Sequence, residues 1–301
     1  MSNPLMTKFN GIEFKNPVIP ASGTFGFGRE YEAFYDLNSL GGLCTKGLTL
    51  EARPGNNGMR LWETPAGLMN SIGLENPGMD AFIKNEWPHL KNLEAVTIIN
   101  VGGKDESSYL EAIEKLNDLD VQLIELNISC PNVKAGGMAY GIKASMAEDI
   151  TKKVVAVSKH PIMVKLSPNG ESITDIAKAC ESAGATGLSL INTVQGMAID
   201  YKKKKAVFDN LYAGLSGPAV KPIALRMAHQ VCRAVNIPVM AMGGIFDWQD
   251  ALEFIMVGAT CIQIGTVNFN HPKAAIEMIA GLEKYCHDEG LKNISEVRGI
   301  I

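Results

Sequence analysis

Eight short apolar runs, separated by helical patterns, constrain this chain more than any other feature. They are Val18-Ile19-Pro20-Ala21, Leu43-Cys44-Thr45, Ala95-Val96-Thr97-Ile98-Ile99, Leu123-Ile124-Glu125-Leu126-Asn127-Ile128, Ile162-Met163-Val164-Lys165-Leu166, Gly187-Leu188-Ser189-Leu190-Ile191, Pro238-Val239-Met240-Ala241-Met242 and Cys261-Ile262-Gln263-Ile264. Nearly continuous apolar runs of this length suit strands buried on both faces, as parallel strands are. Helix signals lie between them. Ser145 with Glu148 reads as a capping box ahead of Met146, Ile150, Val154 and Val157 on one face. Ser172 opens a stripe of Ile173, Ile176, Ala177 and Cys180 before Gly184, and Pro218 opens another with Val220, Ala224, Met227 and Val231. Alternating strands and helices in this number close into a (β/α)₈ TIM barrel in preference to an open doubly wound sheet, the structural alternative. The expectation is one barrel domain over residues 1–301.

Two connections, roughly residues 50–94 and 195–236, are too long for a single helix and are expected to fold over the mouth. Catalytic groups of such barrels come from the C-terminal ends of several strands. Here those ends carry Ser22, Lys46, Asn100, Asn127, Lys165, Asn192 and Thr193, with Gly243-Gly244 and Gly265-Thr266 after the last two strands.

Two glycine-bearing turns after the final strands point to a phosphate, because bare backbone N–H groups can approach an anion there; taken singly, either pair would only make a tight turn. An ammonium closing an apolar strand, as Lys165 does, must meet an anionic group or lose its proton. A flavin that becomes anionic on reduction and a Schiff-base carbonyl both satisfy that demand. Asparagines at 70, 100, 127, 132 and 192 suit a planar ligand with several amide or carbonyl edges. Cys130 follows a strand, precedes Pro131 and a glycine-containing stretch, and sits among polar strand-end residues. A thiol with an ordinary pKa near 8.5 can accept a proton near neutrality, so Cys130 is a candidate base. Cys44, Cys180, Cys232 and Cys261 suit core packing instead.

Lys+Arg 28 against Asp+Glu 32 gives a net charge of −4, which leaves no basic field for nucleic acid or an anionic membrane. Met1 to Phe14 carry no apolar run long enough for a secretory signal, and no later stretch approaches a membrane span, so the expected location is cytoplasmic. Six dispersed cysteines without a C-x-x-C pair are expected as free thiols, and five histidines without ligand spacing predict no metal.

Several longer motifs occur in order: Ala21-Ser22-Gly23-Thr24-Phe25-Gly26-Phe27-Gly28, Asn70-Ser71-Ile72-Gly73-Leu74, Asn127-Ile128-Ser129-Cys130-Pro131-Asn132, Lys165-Leu166-Ser167-Pro168-Asn169, Ile191-Asn192-Thr193 and Gly214-Leu215-Ser216-Gly217-Pro218. Over nearly the whole chain this pattern resembles the class 1 dihydroorotate dehydrogenases, flavin enzymes of pyrimidine (UMP) synthesis. The resemblance implies FMN across the barrel mouth, with Ser22, Lys46, Gly47, Asn100, Asn127, Lys165 and Ile191 near the flavin. Gly217, Gly243, Gly244, Gly265 and Thr266 would lie near its ribityl phosphate. Lys46, Asn70, Ser71, Ile72, Gly73, Leu74, Asn127, Asn132, Asn192 and Thr193 would hold dihydroorotate. Cys130 would take the C5 proton while hydride passes from C6 to flavin N5, giving orotate.

The Ser-Gly-Thr-Phe-Gly-Phe-Gly start and the Gly-Leu-Ser-Gly-Pro segment look like the 1B subclass. That subclass implies a homodimer of this chain in a heterotetramer with an iron–sulfur flavoprotein subunit, which carries FAD and [2Fe–2S] and passes electrons to NAD. No dinucleotide fingerprint or cluster-binding cysteine set occurs here, so NAD chemistry belongs to another chain. Two positions depart from the pattern: Glu75 stands where glutamine is usual, and Gly47 where a larger residue is common. The competing readings are a fumarate-reducing 1A homodimer, a flavin-free aldolase with a Schiff base on Lys165, and a barrel that binds a phosphorylated ligand without turnover. The run Lys202-Lys203-Lys204-Lys205 reads as a solvated loop, with partner docking as the alternative.

Overall fold

The computed structural model describes residues 3–129 and 137–301, with backbone alone for 137–139. Cys130 and Asn132 lie outside the described residues. All eight apolar runs form strands: β1 (Val18–Pro20), β2 (Gly42–Cys44), β3 (Val96–Val101), β4 (Leu123–Asn127), β5 (Ile162–Lys165), β6 (Gly187–Leu190), β7 (Val239–Met242) and β8 (Cys261–Ile264). They pair in parallel in the order β1-β8-β7-β6-β5-β4-β3-β2. Gly41 N donates to Val18 O at 3.3 Å and draws β2 against β1. The sheet therefore curls into a (β/α)₈ barrel.

Alternation along each strand fills the interior in layers, drawn in turn from odd and even strands. Ile19, Ile98, Met163 and Met240 form an apolar layer from the odd strands, buried in one cluster with Phe9 and Phe14. Below it the even strands contribute Gly42 and Gly187, which leave room for those two rings. A Cβ at 187 would sit 2.4 Å from the Phe9 ring, and one at 42 would sit 3.1 Å from Phe14. Both rings belong to an N-terminal hairpin, Thr7–Phe9 against Ile12–Phe14, that plugs the bottom of the barrel. Above the apolar layer the even strands supply Cys44, Glu125, Ser189 and Gln263, all fully buried. Uppermost stand Ala21, Asn100, Lys165 and Met242, at the floor of the mouth.

Helices cover the outside. Ser172 caps helix Ile173–Ser182 by accepting from Asp175 N, and Ile173, Ile176, Ala177 and Cys180 are its buried face, as expected. Pro218 opens a 3₁₀ turn (Pro218–Val220) that runs into helix Lys221–Cys232, buried through Ala224, Ala228 and Val231. The capping box expected at Ser145 does not form. Helix Ala144–Val157 starts earlier, after Lys143, with no side-chain cap. Its inner face is Ala147, Ile150, Thr151 and Val154, which turns Met146, one residue off that stripe, toward solvent.

The two long insertions meet in one antiparallel sheet. Leu61–Thr64 and Gly67–Asn70 come from the first, Val194–Met197 and Tyr212–Ser216 from the second, and Gly67–Asn70 pairs with Tyr212–Ser216 across the join. Lys202 to Lys205 lie exposed around a small hairpin, Ile199–Asp200 with Lys205–Ala206. Among the described residues no helix is long and apolar enough to cross a membrane, and no cluster of metal-binding side chains occurs. The described cysteines are free thiols.

Candidate active site

A cavity of about 420 Å³ opens at the C-terminal ends of the barrel strands, roofed by the insertion sheet through Leu61, Leu68, Asn70, Leu215 and Ser216. Most of the expected site residues converge on it. Ser22, Lys46, Gly47, Asn127, Lys165 and Ile191 line its barrel side, and Gly217, Gly243, Gly244, Gly265 and Thr266 line the end above β7 and β8. Asn70, Ile72, Gly73, Leu74, Asn192 and Thr193 form the remaining wall. Ser71 and Asn100 stand behind it. Ser71 is buried, and its Oγ accepts from Asn56 and Asn210, so it ties the two insertions together. Asn100 is fully buried, and its Oδ1 accepts from Asn127 Nδ2 at 3.3 Å.

Side-chain hydrogen bonds hold several of the wall residues in place. Asn127 Oδ1 accepts from the backbone N–H and hydroxyl of Ser129, turning the chain at the end of β4. Asn192 Nδ2 donates to Ser129 Oγ at 2.9 Å, linking the ends of β6 and β4. The Leu190–Ile191 peptide just before it is cis. Thr266 Oγ1 donates to Ser216 Oγ at 2.8 Å, fastening the end of β8 to the roof. Gly47 has its own reason to be small, since a Cβ there would sit 2.8 Å from Asn100 Oδ1. Glu75 pairs with Arg60 Nη1 at 2.8 Å.

Among the described residues lining the cavity, the ionisable ones are Lys46 and Lys165, both basic, so the wall suits an anionic ligand. Partial burial lowers the Lys46 pKa below its ordinary value, against the opposing pull of Glu75. Lys165 already has an anionic partner within the protein. Its Nζ lies 3.5 Å from Glu125 Oε2, with side-chain exposures of 6% and 0%. Burial alone would push the Glu125 carboxyl up, but the Lys165 charge and hydrogen bonds from Ser189, Gln263 and Asn100 outweigh it and hold the pKa below the ordinary carboxylate value. Nothing in the apolar-run reading singled out Glu125. The signal was there nonetheless, because a carboxylate within a buried parallel strand demands a cation or several donors.

The residues fit a flavin mononucleotide. Gly244 has φ +76, and a Cβ on it would meet Lys221 N at 2.6 Å, so the chain there stays bare beside the N-terminal end of helix Lys221–Cys232. A Cβ on Gly265 would meet nothing nearer than 3.7 Å and would occupy part of the cavity itself. Gln263 stands just beneath the cavity floor, and its Oε1 is a buried acceptor without a partner among the described residues. Lys221 is committed elsewhere, to Asp250 and Glu253. Gly217, Gly243, Gly244, Gly265 and Thr266 would hold the phosphate end, and Lys165, Asn127 and Ser22 the ring.

The family model described as dihydroorotate dehydrogenase matches residues 4–286. A protein of Petrotoga mobilis named dihydroorotate dehydrogenase B (NAD(+)), catalytic subunit, is 54% identical over 297 residues, covering 98% of this chain and 99% of its own length. Proteins of the same name from Caldicellulosiruptor bescii and Alkaliphilus metalliredigens are 50% and 49% identical, each over 99% of its own length. With a barrel whose mouth gathers the family's motifs, and a match along nearly its full length, this chain belongs to the dihydroorotate dehydrogenase family.

Proposed function

We propose that this chain is the FMN-dependent catalytic subunit of an NAD-linked dihydroorotate dehydrogenase, oxidising (S)-dihydroorotate to orotate in pyrimidine synthesis. The observation that carries this reading is the cavity itself, in which Lys46 and Lys165 and amides from three separate elements, Asn70, Asn127 and Asn192, face one space. A small planar diamide with a carboxylate matches that set of donors and acceptors.

FMN, when bound, supplies the two-electron acceptor for the hydride leaving C6. Lys46 offers a cation to the substrate carboxylate, while Asn70, Asn127, Asn192 and Thr193, with Asn132, hold the ring amides. Residues Ser71 to Leu74 fix the wall against which the ring lies. Cys130 Sγ takes the C5 proton. Its neighbour Ser129 is anchored to Asn127 and Asn192, so the segment that carries the thiol starts from a fixed point. The barrel, residues 1–301, works as one FMN-binding domain in the cytoplasm, where free thiols such as the described cysteines persist.

The names of the relatives, NAD(+) and catalytic subunit, support a second chain as the route for electrons. That partner carries FAD and a [2Fe–2S] cluster, and two copies of each chain form a heterotetramer. The fumarate-reducing and Schiff-base readings have no such support. The test is anaerobic addition of dihydroorotate to the FMN-loaded chain, with and without an electron-transfer subunit from a relative. A single turnover of orotate by this chain alone, with NAD reduction only when both chains are present, supports the proposal; fumarate reduction by this chain alone contradicts it.

A further inference from the structure

We propose that Glu125 is the positioning residue that fixes Lys165 and Asn100 at the cavity floor, so that the charge felt there is set by the Lys165–Glu125 pair and not by Lys165 alone. The inference rests on the cavity being the FMN site.

The geometry is that of a hub. Glu125 belongs to β4 and is completely buried. Its Oε1 accepts from Ser189 Oγ of β6 at 2.8 Å and from Gln263 Nε2 of β8 at 2.9 Å. Its Oε2 accepts from Asn100 of β3, from Cys44 Sγ of β2 at 3.4 Å, and from Lys165 Nζ of β5 at 3.5 Å. One carboxylate thus ties together side chains of five other strands. Two of those side chains stand in the layer directly above it: Lys165 lines the cavity, and Asn100 in turn accepts from Asn127, which lines it too.

A buried carboxylate with this many donors is ionised, and the other titratable group touching it, the Cys44 thiol, is pushed well above its ordinary pKa, first by burial and then by Glu125 itself. The floor of the cavity therefore carries a neutral ion pair. Taking away the carboxylate leaves one unpaired positive charge there, which favours any state of the bound group that carries more negative charge.

The test compares the wild-type chain with Glu125→Gln and Glu125→Asp, each loaded with FMN and held at the same pH. Spectrophotometric redox titration reads the FMN midpoint potential. The pair account expects an upward shift in Glu125→Gln and a value near wild type in Glu125→Asp; an unchanged or lower potential in Glu125→Gln overturns it. Should Glu125→Gln fail to fold, thermal unfolding of the double variant Glu125→Gln/Lys165→Met decides. Recovery of the lost stability supports a pair, because replacing both partners removes the buried charge altogether, and no recovery overturns it. A wild-type chain that binds no FMN would instead overturn the assignment of the cavity.

Discussion

The Lys165 ammonium lies 3.5 Å from the Glu125 carboxylate, the lysine at the floor of the barrel's mouth and the carboxylate buried beneath it. A buried pair of this kind does not by itself add much stability, but breaking it is costly, typically about 3–5 kcal/mol, because one charge is left without its partner. Lys165→Met is therefore expected to lower the unfolding free energy by roughly that amount at neutral pH. The pH dependence has a definite sign. The Glu125 pKa is depressed in the folded protein, so its contribution is present above the unfolded carboxylate value and is lost as pH falls through the folded one. The gap between wild type and Lys165→Met should narrow toward acid, where a protonated Glu125 no longer needs a cation. Denaturant titrations across that range check this, and a gap constant with pH would speak against it.

Cys130→Ala is expected to keep FMN and the fold while slowing reduction of the flavin by dihydroorotate about 10²- to 10⁴-fold, the usual contribution of a positioned base. Stopped-flow absorbance measures the rate directly. Reduction at the wild-type rate would remove Cys130 from the mechanism.

Lys46 gives a second pH signature. Its ammonium loses its proton at a lower pH than an exposed lysine because burial disfavours the charged form. Orotate affinity should fall as pH rises from neutrality toward 10.5, since the cation that meets the carboxylate is present below the lowered pKa and absent above it. Lys46→Met should bind orotate more weakly by about 1.5–3 kcal/mol and show no such pH dependence. Calorimetric titration of both proteins over this range tests the two statements together.

Two glycine variants separate the roles of fold and cofactor. Gly265→Ala meets no atom nearer than 3.7 Å and so should fold with an unchanged melting temperature of the cofactor-free chain, yet hold FMN more weakly. Gly244→Ala combines φ +76 with a contact of 2.6 Å to Lys221 N, and should lower that melting temperature as well. Thermal unfolding and FMN equilibrium dialysis read the two effects separately. Equal loss of stability in both variants would mean that Gly265 has a packing role.

Much of the barrel was legible because its strands are buried on both faces and so carry nearly continuous apolar runs, from Val18 to Ile264. The ends of those runs then named the mouth residues without further information. Less legible were features that depend on contacts remote in sequence. The hairpin with Phe9 and Phe14 is too short to announce itself, and its reason, the space left by Gly42 and Gly187, exists only once the barrel closes. The strands of the two insertions form a sheet only with one another, so neither insertion read alone revealed it. Ser145 and Glu148 had the spacing of a capping box, but the burial of Ala147, Ile150 and Val154 set the start of the helix earlier. In the sequence Lys165 calls for an anion that a ligand could supply; the protein supplies one in Glu125, a lone carboxylate within an apolar strand. Cys130 and Asn132 lie outside the described residues, and their roles rest on the motif alone.

The most direct measurement is to mix the purified, FMN-loaded chain with dihydroorotate under anaerobic conditions and follow the visible absorbance and the product. The account predicts that the flavin band bleaches, with one orotate formed for each FMN reduced. A colourless protein that cannot take up FMN, or one whose flavin stays oxidised in the presence of dihydroorotate, would contradict it.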